Sequence, residues 1–250
     1  MIDGGLVSRN YDIEPVGSVL PAQFGPLFPR KDWPELIREQ ERRNASPLAV
    51  HKWNDCPILD QGRLRYCWVF AVTAAVMNRY AFMGINEPVP HLSATAAGAQ
   101  GKRFRNAGGY ASEGCRYVEK YGLPTVEHWP ERSMDRTLPH DPHVKKSAER
   151  HDLIQFGDMD AGDLDLAVSA LIDPDGAVPV TFSLPWWKHA VCGLAMRYRG
   201  GDATKLESYG LTFVNSYGLD WGQNGYNTIW GQQLQGNEYI AVKQVKSRAE

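Results

Sequence analysis

Four residues that lie far apart in the chain could form one catalytic site: Gln61, Cys67, His189 and Asn215. A cysteine thiol becomes a strong nucleophile when a histidine takes its proton, and an asparagine can hold that histidine ring in one orientation. The side-chain N–H of Gln61 and the backbone N–H of Cys67 could stabilise an oxygen that gains negative charge. These residue types predict attack by Cys67 on a carbonyl carbon through a covalent acyl intermediate.

Cys67 opens an apolar run that predicts a helix from Cys67 to Tyr80. The run is apolar on nearly all faces, which is typical of a helix buried inside a lobe. Because the N-terminus of a helix stabilises negative charge, this position favours the thiolate form of Cys67. A second helix is predicted from Ala111 to Tyr121 and should end at Gly122 and Pro124.

The second half of the chain is predicted to be rich in β-strands, with one helix between Gly162 and Ile172. The β-type segments are 152–156, 178–184, 190–198, 211–215, 226–230 and 239–245. A helical part followed by a run of strands predicts an α+β fold with an antiparallel sheet.

We divide the chain into an N-terminal arm, residues 1–46, and a catalytic domain, residues 47–250. The domain should contain a helical lobe near 60–125, a crossing segment near 126–150 and a β lobe near 151–250. The arm contains several Gly and Pro residues and a polar helix from Pro34 to Arg43. With little apolar periodicity, this helix should lie on a surface, either of this protein or of a partner.

Composition argues against several classes of protein. Lys and Arg number 27 and Asp and Glu number 29, so no nucleic-acid partner is predicted. No apolar stretch is long enough to span a membrane, and the first residues lack the pattern of a signal sequence. The four cysteines lack zinc-ligand spacing, so neither a metal nor another cofactor is predicted. Free thiols in turn indicate a cytoplasmic or other intracellular location.

The motifs around the four residues resemble those of the papain-like (C1) cysteine peptidases. The resemblance covers residues from about 48 to 245 and is strongest at Gln61, Cys67-Trp68, His189-Ala190 and Asn215–Tyr226. Residues 106–110 are similar to the Cys-Asn-Gly-Gly-Tyr segment of that family. The resemblance implies a two-lobed fold, with a mainly helical lobe, an antiparallel β-barrel-like lobe and an active-site cleft between them.

The resemblance also implies a set of substrate-binding residues. The last glycine of the 106–110 segment pairs with substrate backbone in the family, so this role falls to Gly109, with Gly108 beside it. Trp187 matches a position that lines a substrate side-chain pocket. Arg65 replaces a glycine at the cleft wall, where it would either block or recognise substrate. Trp221 is a further candidate, with packing beneath the site as its alternative role.

Three features depart from the family pattern. The two cysteines of a family disulfide are Leu64 and Asn106 here, which fits a protein kept in a reducing environment. Tyr217 stands in place of a tryptophan that shields the Asn–His hydrogen bond. We expect the chain to lack the long inhibitory propeptide of the family, because only the arm precedes the matching region.

The leading hypothesis is a cysteine-type endopeptidase that hydrolyses a peptide or protein substrate. The arm would then be a short inhibitory segment or an anchor for a protein partner. A transpeptidase would use the same nucleophile, so the sequence does not separate these two activities. The alternative is a catalytically silent component of a larger assembly, such as a phage particle or a bacterial complex. In a phage particle, the protein would be virion-associated. Retention of Gln61 favours the enzyme, because a scaffold has no use for an oxyanion donor.

Overall fold

The computed structural model describes residues 5–7, 9, 25–84 and 88–246 of the chain. These residues form the α-helices α1 Trp33–Arg43, α2 Pro47–Trp53, α3 Cys67–Met83, α4 Ala94–Gly101, α5 Ala111–Tyr121, α6 Pro142–Ala148 and α7 Leu164–Ile172. They also form the strands β1 Leu153–Asp160, β2 Val180–Leu184, β3 His189–Tyr198, β4 Tyr209–Val214, β5 Tyr226–Trp230 and β6 Glu238–Val245. The predicted α+β fold is therefore confirmed.

The six strands form one antiparallel sheet in the order β1-β6-β2-β3-β4-β5. β1 and β5 are its edges, so the sheet is open where the resemblance led us to expect a barrel-like lobe. The helix α7 packs on one side of the sheet, against β3 and β6. The helix α3 packs against β3 and β6 as well, and joins the sheet to the helical lobe.

The central helix α3 is buried along most of its length, as its continuous apolar sequence predicts. It runs three residues beyond the predicted end at Tyr80 and stops at Gly84, which adopts the left-handed conformation that glycine tolerates best. Because α3 contacts both α5 and β3, its N-terminal residue Cys67 lies where the helical lobe meets the sheet.

Two short helices, α2 and α4, are absent from the sequence prediction. The segment of α4, Ala94–Gly101, consists of Ala, Thr, Gly and Gln and carries no 3.6-residue apolar pattern. The crossing segment contains the helix α6 and the fully buried Trp129. The Trp129 ring stacks on Phe104, with 6.3 Å between ring centroids, so tertiary contacts hold a segment whose local sequence is polar.

The helix of the arm, α1, lies on this protein's own β lobe. Trp33 and Ile37 are buried in the apolar cluster shared with α7 and the sheet. The Gln40 side chain donates a hydrogen bond of 2.9 Å to the backbone oxygen of Leu171. The buried residues Trp33, Ile37 and Gln40 recur every three to four positions, so the helix is amphipathic despite its polar composition.

In the described part of the chain, no helix is both long and apolar enough to cross a membrane.

Candidate active site

His189 and Asn215 form the centre of the site. His189 begins β3, and Asn215 directly follows β4, the neighbouring strand. Their side chains meet with 2.6 Å between His189 Nε2 and Asn215 Oδ1. Because an amide oxygen only accepts hydrogen bonds, Nε2 must carry a proton, and the neutral ring keeps its lone pair on Nδ1. Asn215 therefore orients the ring with its lone pair on Nδ1, and the catalytic role of the pair stays a prediction.

The imidazole of His189 is fully buried. This burial lowers the pKa of His189 from its usual value to about 4, although the hydrogen bond to Asn215 acts in the opposite direction. The Tyr217 hydroxyl lies 3.3 Å from His189 Nδ1, and the Trp187 ring centroid lies 4.7 Å from that of His189. The His189 ring is therefore neutral in this conformation and lies against two aromatic rings.

Cys67 is the first residue of α3 and is fully buried. The preceding residue Tyr66 provides no side-chain cap for the helix N-terminus, and the positive end of the helix dipole favours negative charge at this position. Since α3 packs directly on β3, Cys67 and His189 stand at the starts of two contacting elements. The reaction between this thiol and Nδ1 stays a prediction.

Gln61 connects the helical lobe to the residue next to Asn215. Its backbone N–H donates to the Ser216 carbonyl at 2.9 Å, and its side-chain oxygen accepts from the Ser216 hydroxyl at 2.6 Å. Its Nε2 donates to the Leu64 carbonyl at 2.5 Å. The role of Gln61 as an oxyanion donor stays a prediction.

The two glycines predicted to bind substrate are in contact with the chain's own arm. The Gly109 N–H donates to the Gly5 carbonyl at 2.9 Å, and the Val7 N–H donates to the Gly109 carbonyl at 2.9 Å. These bonds make a parallel β-bridge between Leu6 and Gly109. A Cβ atom on Gly108 would lie 2.3 Å from the Gly5 carbonyl oxygen, so the close approach of the arm requires a glycine there.

The same arm segment, residues 5–7, reaches both lobes. On the helical side, a Cβ atom on Gly5 would lie 2.2 Å from the Arg65 carbonyl oxygen. On the sheet side, the Leu6 N–H points to the Lys188 carbonyl at 3.4 Å, next to His189. The segment therefore runs between Arg65, two residues before Cys67, and Lys188, which directly precedes His189. Arg65 is exposed, and it is the backbone of Arg65 that meets the arm.

Trp187 and Trp221 lie beside the base. Their rings are stacked at a centroid distance of 6.0 Å and an interplanar angle of 27°. Trp221 also lies 5.9 Å from the Tyr217 ring and 5.9 Å from the Phe213 ring. The structure thus brings both predicted tryptophans to His189 as one aromatic wall.

No sequence pattern predicted a role for two buried carboxylates near the site, Asp158 and Glu238. They stand on the neighbouring strands β1 and β6, and both are buried. The guanidinium of Arg9, from the arm, lies between them and makes an ion pair with Asp158 and a second with Glu238 at 3.4 Å. Charged residues on strands most often lie on the solvent side, so nothing in the local pattern marks these two as inward-facing.

The remaining thiols have no place in this site. Cys56, Cys115 and Cys192 are free and buried, and burial raises the pKa of each. No cluster of three or more His, Cys, Asp or Glu side chains that could hold a metal occurs among residues 5–7, 9, 25–84 and 88–246.

No protein-family model and no curated protein sequence matches the chain. Solved structures do match. Digestive procathepsin L 3 of the Tenebrio molitor larval midgut is 18% identical with a TM-score of 0.55, over 74% of this chain and 66% of that one, slightly less than two thirds. Xylellain, a cysteine protease from Xylella fastidiosa, is 15% identical with a TM-score of 0.54, over 75% of this chain and 83% of that one.

A third similar structure comes from work on the mite allergens Blo t 1 and Der p 1. It is 18% identical with a TM-score of 0.60, and the match covers 97% of this chain and 76% of that one. The agreement extends over nearly all of this chain despite the low identity. The chain therefore adopts the two-lobed papain-like fold of cysteine proteases.

Proposed function

We propose that this chain is a cysteine peptidase that hydrolyses peptide bonds and that its own N-terminal arm closes the substrate groove. The observation that carries the proposal is the His189 Nε2–Asn215 Oδ1 hydrogen bond of 2.6 Å. That bond leaves Nδ1 as the base, on a strand that packs against the helix headed by Cys67.

In the proposed reaction, the Cys67 thiol transfers its proton to His189 Nδ1 and the sulfur attacks the carbonyl carbon of a peptide bond. The carbonyl oxygen becomes an oxyanion and accepts hydrogen bonds from the Cys67 backbone N–H and the Gln61 side chain. The C–N bond then breaks, and the imidazolium donates its proton to the departing amine. Water attacks the thioester carbonyl carbon while His189 takes a proton from the water. The C–S bond then breaks, the imidazolium returns its proton to the Cys67 sulfur, and the acid product leaves.

The arm restrains this reaction in two ways. It uses the backbone groups of Gly109 that a substrate strand would pair with. It also passes next to His189, whose burial lowers its pKa to about 4. Once the arm leaves and water reaches the ring, the pKa of His189 rises toward its usual value, which favours the thiolate–imidazolium pair.

One contact favours the second candidate, a silent scaffold. The Tyr217 hydroxyl is 3.3 Å from Nδ1, so it can donate to the same lone pair that must accept the thiol proton. In a scaffold, this tyrosine would hold the histidine permanently neutral. The distance is long for a hydrogen bond to nitrogen, and Tyr217 therefore weakens the base more than it blocks it.

The test opens the groove without touching the catalytic residues. Val7→Pro removes the N–H that donates to the Gly109 carbonyl, and Val7→Ala keeps it; Val7 is 48% exposed, so neither change disturbs the core. Losing one hydrogen bond of about 0.5–1.5 kcal/mol should raise the open fraction about 2- to 12-fold. Iodoacetamide should then alkylate Cys67 faster in the proline variant by this factor, with no increase in the alanine variant.

Turnover is measured next, on a mixed peptide library. The Val7→Pro variant should cleave peptides. Adding Cys67→Ala to it should abolish cleavage, whereas adding the control substitution Cys56→Ala should leave cleavage intact. Alkylation of all four cysteines at one slow rate, together with no cleavage in the proline variant, would leave the scaffold as the explanation.

A further inference from the structure

A polar cavity of about 370 Å³ lies outside the candidate active site and shares no lining residue with it. The helix α6, the turn of residues 125–128 after α5, and His151, two residues before β1, form its walls. Its volume falls in the range of small-molecule sites, about 300–1,000 Å³. Lys146 and Arg150 contribute two positive charges to the lining, and Glu127 contributes the one negative charge.

The side chains that α6 and the turn after it contribute to the cavity follow a helical spacing. Positions i, i+3, i+4, i+7 and i+8 lie on one face of a helix. The residues at these positions all line the cavity: His143, Lys146, Ser147, Arg150 and His151. Lys145, which does not fit the spacing, does not line it. The sequence thus places side chains that donate hydrogen bonds or carry positive charge on the face that meets the cavity.

Two of these side chains are buried and held in place by hydrogen bonds. The Ser147 hydroxyl oxygen accepts from the Thr125 N–H at 3.0 Å, so its own proton is left to donate, and it meets no acceptor in the described part of the chain. His151 Nδ1 donates to the Ser147 carbonyl at 3.0 Å, and its ring lies edge-on to Tyr80 with 5.8 Å between centroids. The buried wall of the cavity is therefore fixed and carries a hydroxyl donor.

The two cations at the opening of the cavity lack a counter-ion. Lys146 and Arg150 are exposed and stand four residues apart, where like charges repel each other. Neither makes an ion pair with any residue that the structure describes. Cations in the last turn of a helix usually offset its dipole, but Lys145 stands in that turn of α6 as well and can do the same. An anion between Lys146 and Arg150 would turn their repulsion into attraction.

We propose that this cavity binds a phosphate group, either free or carried by a small molecule, and that Arg150 and Lys146 select it. A guanidinium donates two parallel hydrogen bonds to a phosphate, and an ammonium adds a compact charge. The Ser147 hydroxyl and the imidazoles of His128 and His143 line the same cavity. This set of donors suits the several oxygens of a phosphate better than the two of a carboxylate. The site does not depend on peptidase activity.

The first experiment titrates the full-length protein with inorganic phosphate in a calorimeter at constant ionic strength, and compares acetate. Phosphate should bind saturably at one site, and acetate at least about tenfold more weakly. Lys146→Gln and Arg150→Gln should each weaken phosphate binding at least about tenfold. Lys145→Gln removes the same charge from the neighbouring position outside the cavity, and should change the affinity less than about twofold. Equal losses in Lys145→Gln and Lys146→Gln, acetate binding as tight as phosphate, or no saturable binding would overturn the assignment.

A gain of affinity provides a second test that damage to the fold cannot imitate. Glu127 lines the cavity and makes no ion pair with a described residue, so its charge repels a bound anion. Glu127→Gln should therefore tighten phosphate binding about threefold. An unchanged or weaker affinity in this variant would contradict binding of the anion in this cavity.

The last experiment separates the two sources of the phosphate group by titration with glycerol phosphate and with glycerol. Tighter binding of glycerol phosphate than of inorganic phosphate assigns the rest of the cavity to the organic part of the ligand, and equal affinity assigns the site to the free ion. Either result upholds the site, provided that Arg150→Gln weakens both ligands. Glycerol that binds as tightly as glycerol phosphate would refute selection of the phosphate group.

Discussion

Closure of the groove depends on a glycine that no other residue can replace. Gly5 has a φ of +85°, and a side chain there costs about 1–2 kcal/mol because the left-handed region is strained for other residues. A Cβ atom would also lie 2.2 Å from the Arg65 carbonyl oxygen and 2.5 Å from its carbonyl carbon. The arm must therefore move in a Gly5→Ala variant.

The movement has a definite free energy. It breaks the 2.9 Å hydrogen bond from the Gly109 N–H to the Gly5 carbonyl, which adds about 0.5–1.5 kcal/mol to the strain. With the steric overlap, closure weakens by about 2–4 kcal/mol, which raises the open fraction about 30-fold at the lower limit. When reclosing is faster than chemical modification, the alkylation rate of Cys67 rises by the same factor.

The control is Gly200→Ala. Gly200 has a similar φ of +91° but no heavy atom within 4 Å of its Cβ position, so the variant shares the backbone strain and leaves the arm in place. Alkylation of Cys67 by iodoacetamide, followed by mass spectrometry, should be at least about 30-fold faster in Gly5→Ala than in Gly200→Ala. Equal rates in the two variants would mean that the arm does not limit access to the thiol.

Three further outcomes follow from the site. Asn215→Ala removes the 2.6 Å hydrogen bond that orients the His189 ring, and kcat/KM of the opened enzyme should fall at least about tenfold, with unchanged far-UV circular dichroism. Tyr217→Phe removes the donor that competes for Nδ1, so Cys67 alkylation in the opened enzyme should rise about twofold, and a decrease would contradict the competition. Burial lowers the pKa values of His51 and His189 to about 4. As pH falls from about 6.5 to 4, each of these histidines is protonated in the unfolded chain before it is protonated in the folded chain. The free energy of unfolding should therefore fall by up to about 1.4 kcal/mol per pH unit for each histidine. Urea titrations that give constant stability over this range would disprove this.

Local sequence was sufficient where one strong pattern dominated. The helix Ala111–Tyr121 and the strand Tyr226–Trp230 were predicted with the bounds that the structure has, because breakers or turn residues flank a clear periodic run. The continuous apolar run after Cys67 determined α3 for the same reason. The order of Gln61, Cys67, His189 and Asn215 along the chain also predicted the His189–Asn215 contact, since the fold that their motifs resemble brings these positions together.

Only the tertiary structure decided which segment lies beside Gly109 and His189. Local periodicity carries no information on contacts between residues 5–7 and residues near 109 and 188, which are separated by more than a hundred positions. The inward direction of Asp158 likewise depends on a distant residue, because a buried carboxylate is stable only with a partner, and here Arg9 from the other end of the chain forms an ion pair with it. The sequence by itself determined a candidate catalytic set and the helices and strands that carry it, whereas long-range backbone pairing decided that residues 5–7 lie beside Gly109 and Lys188.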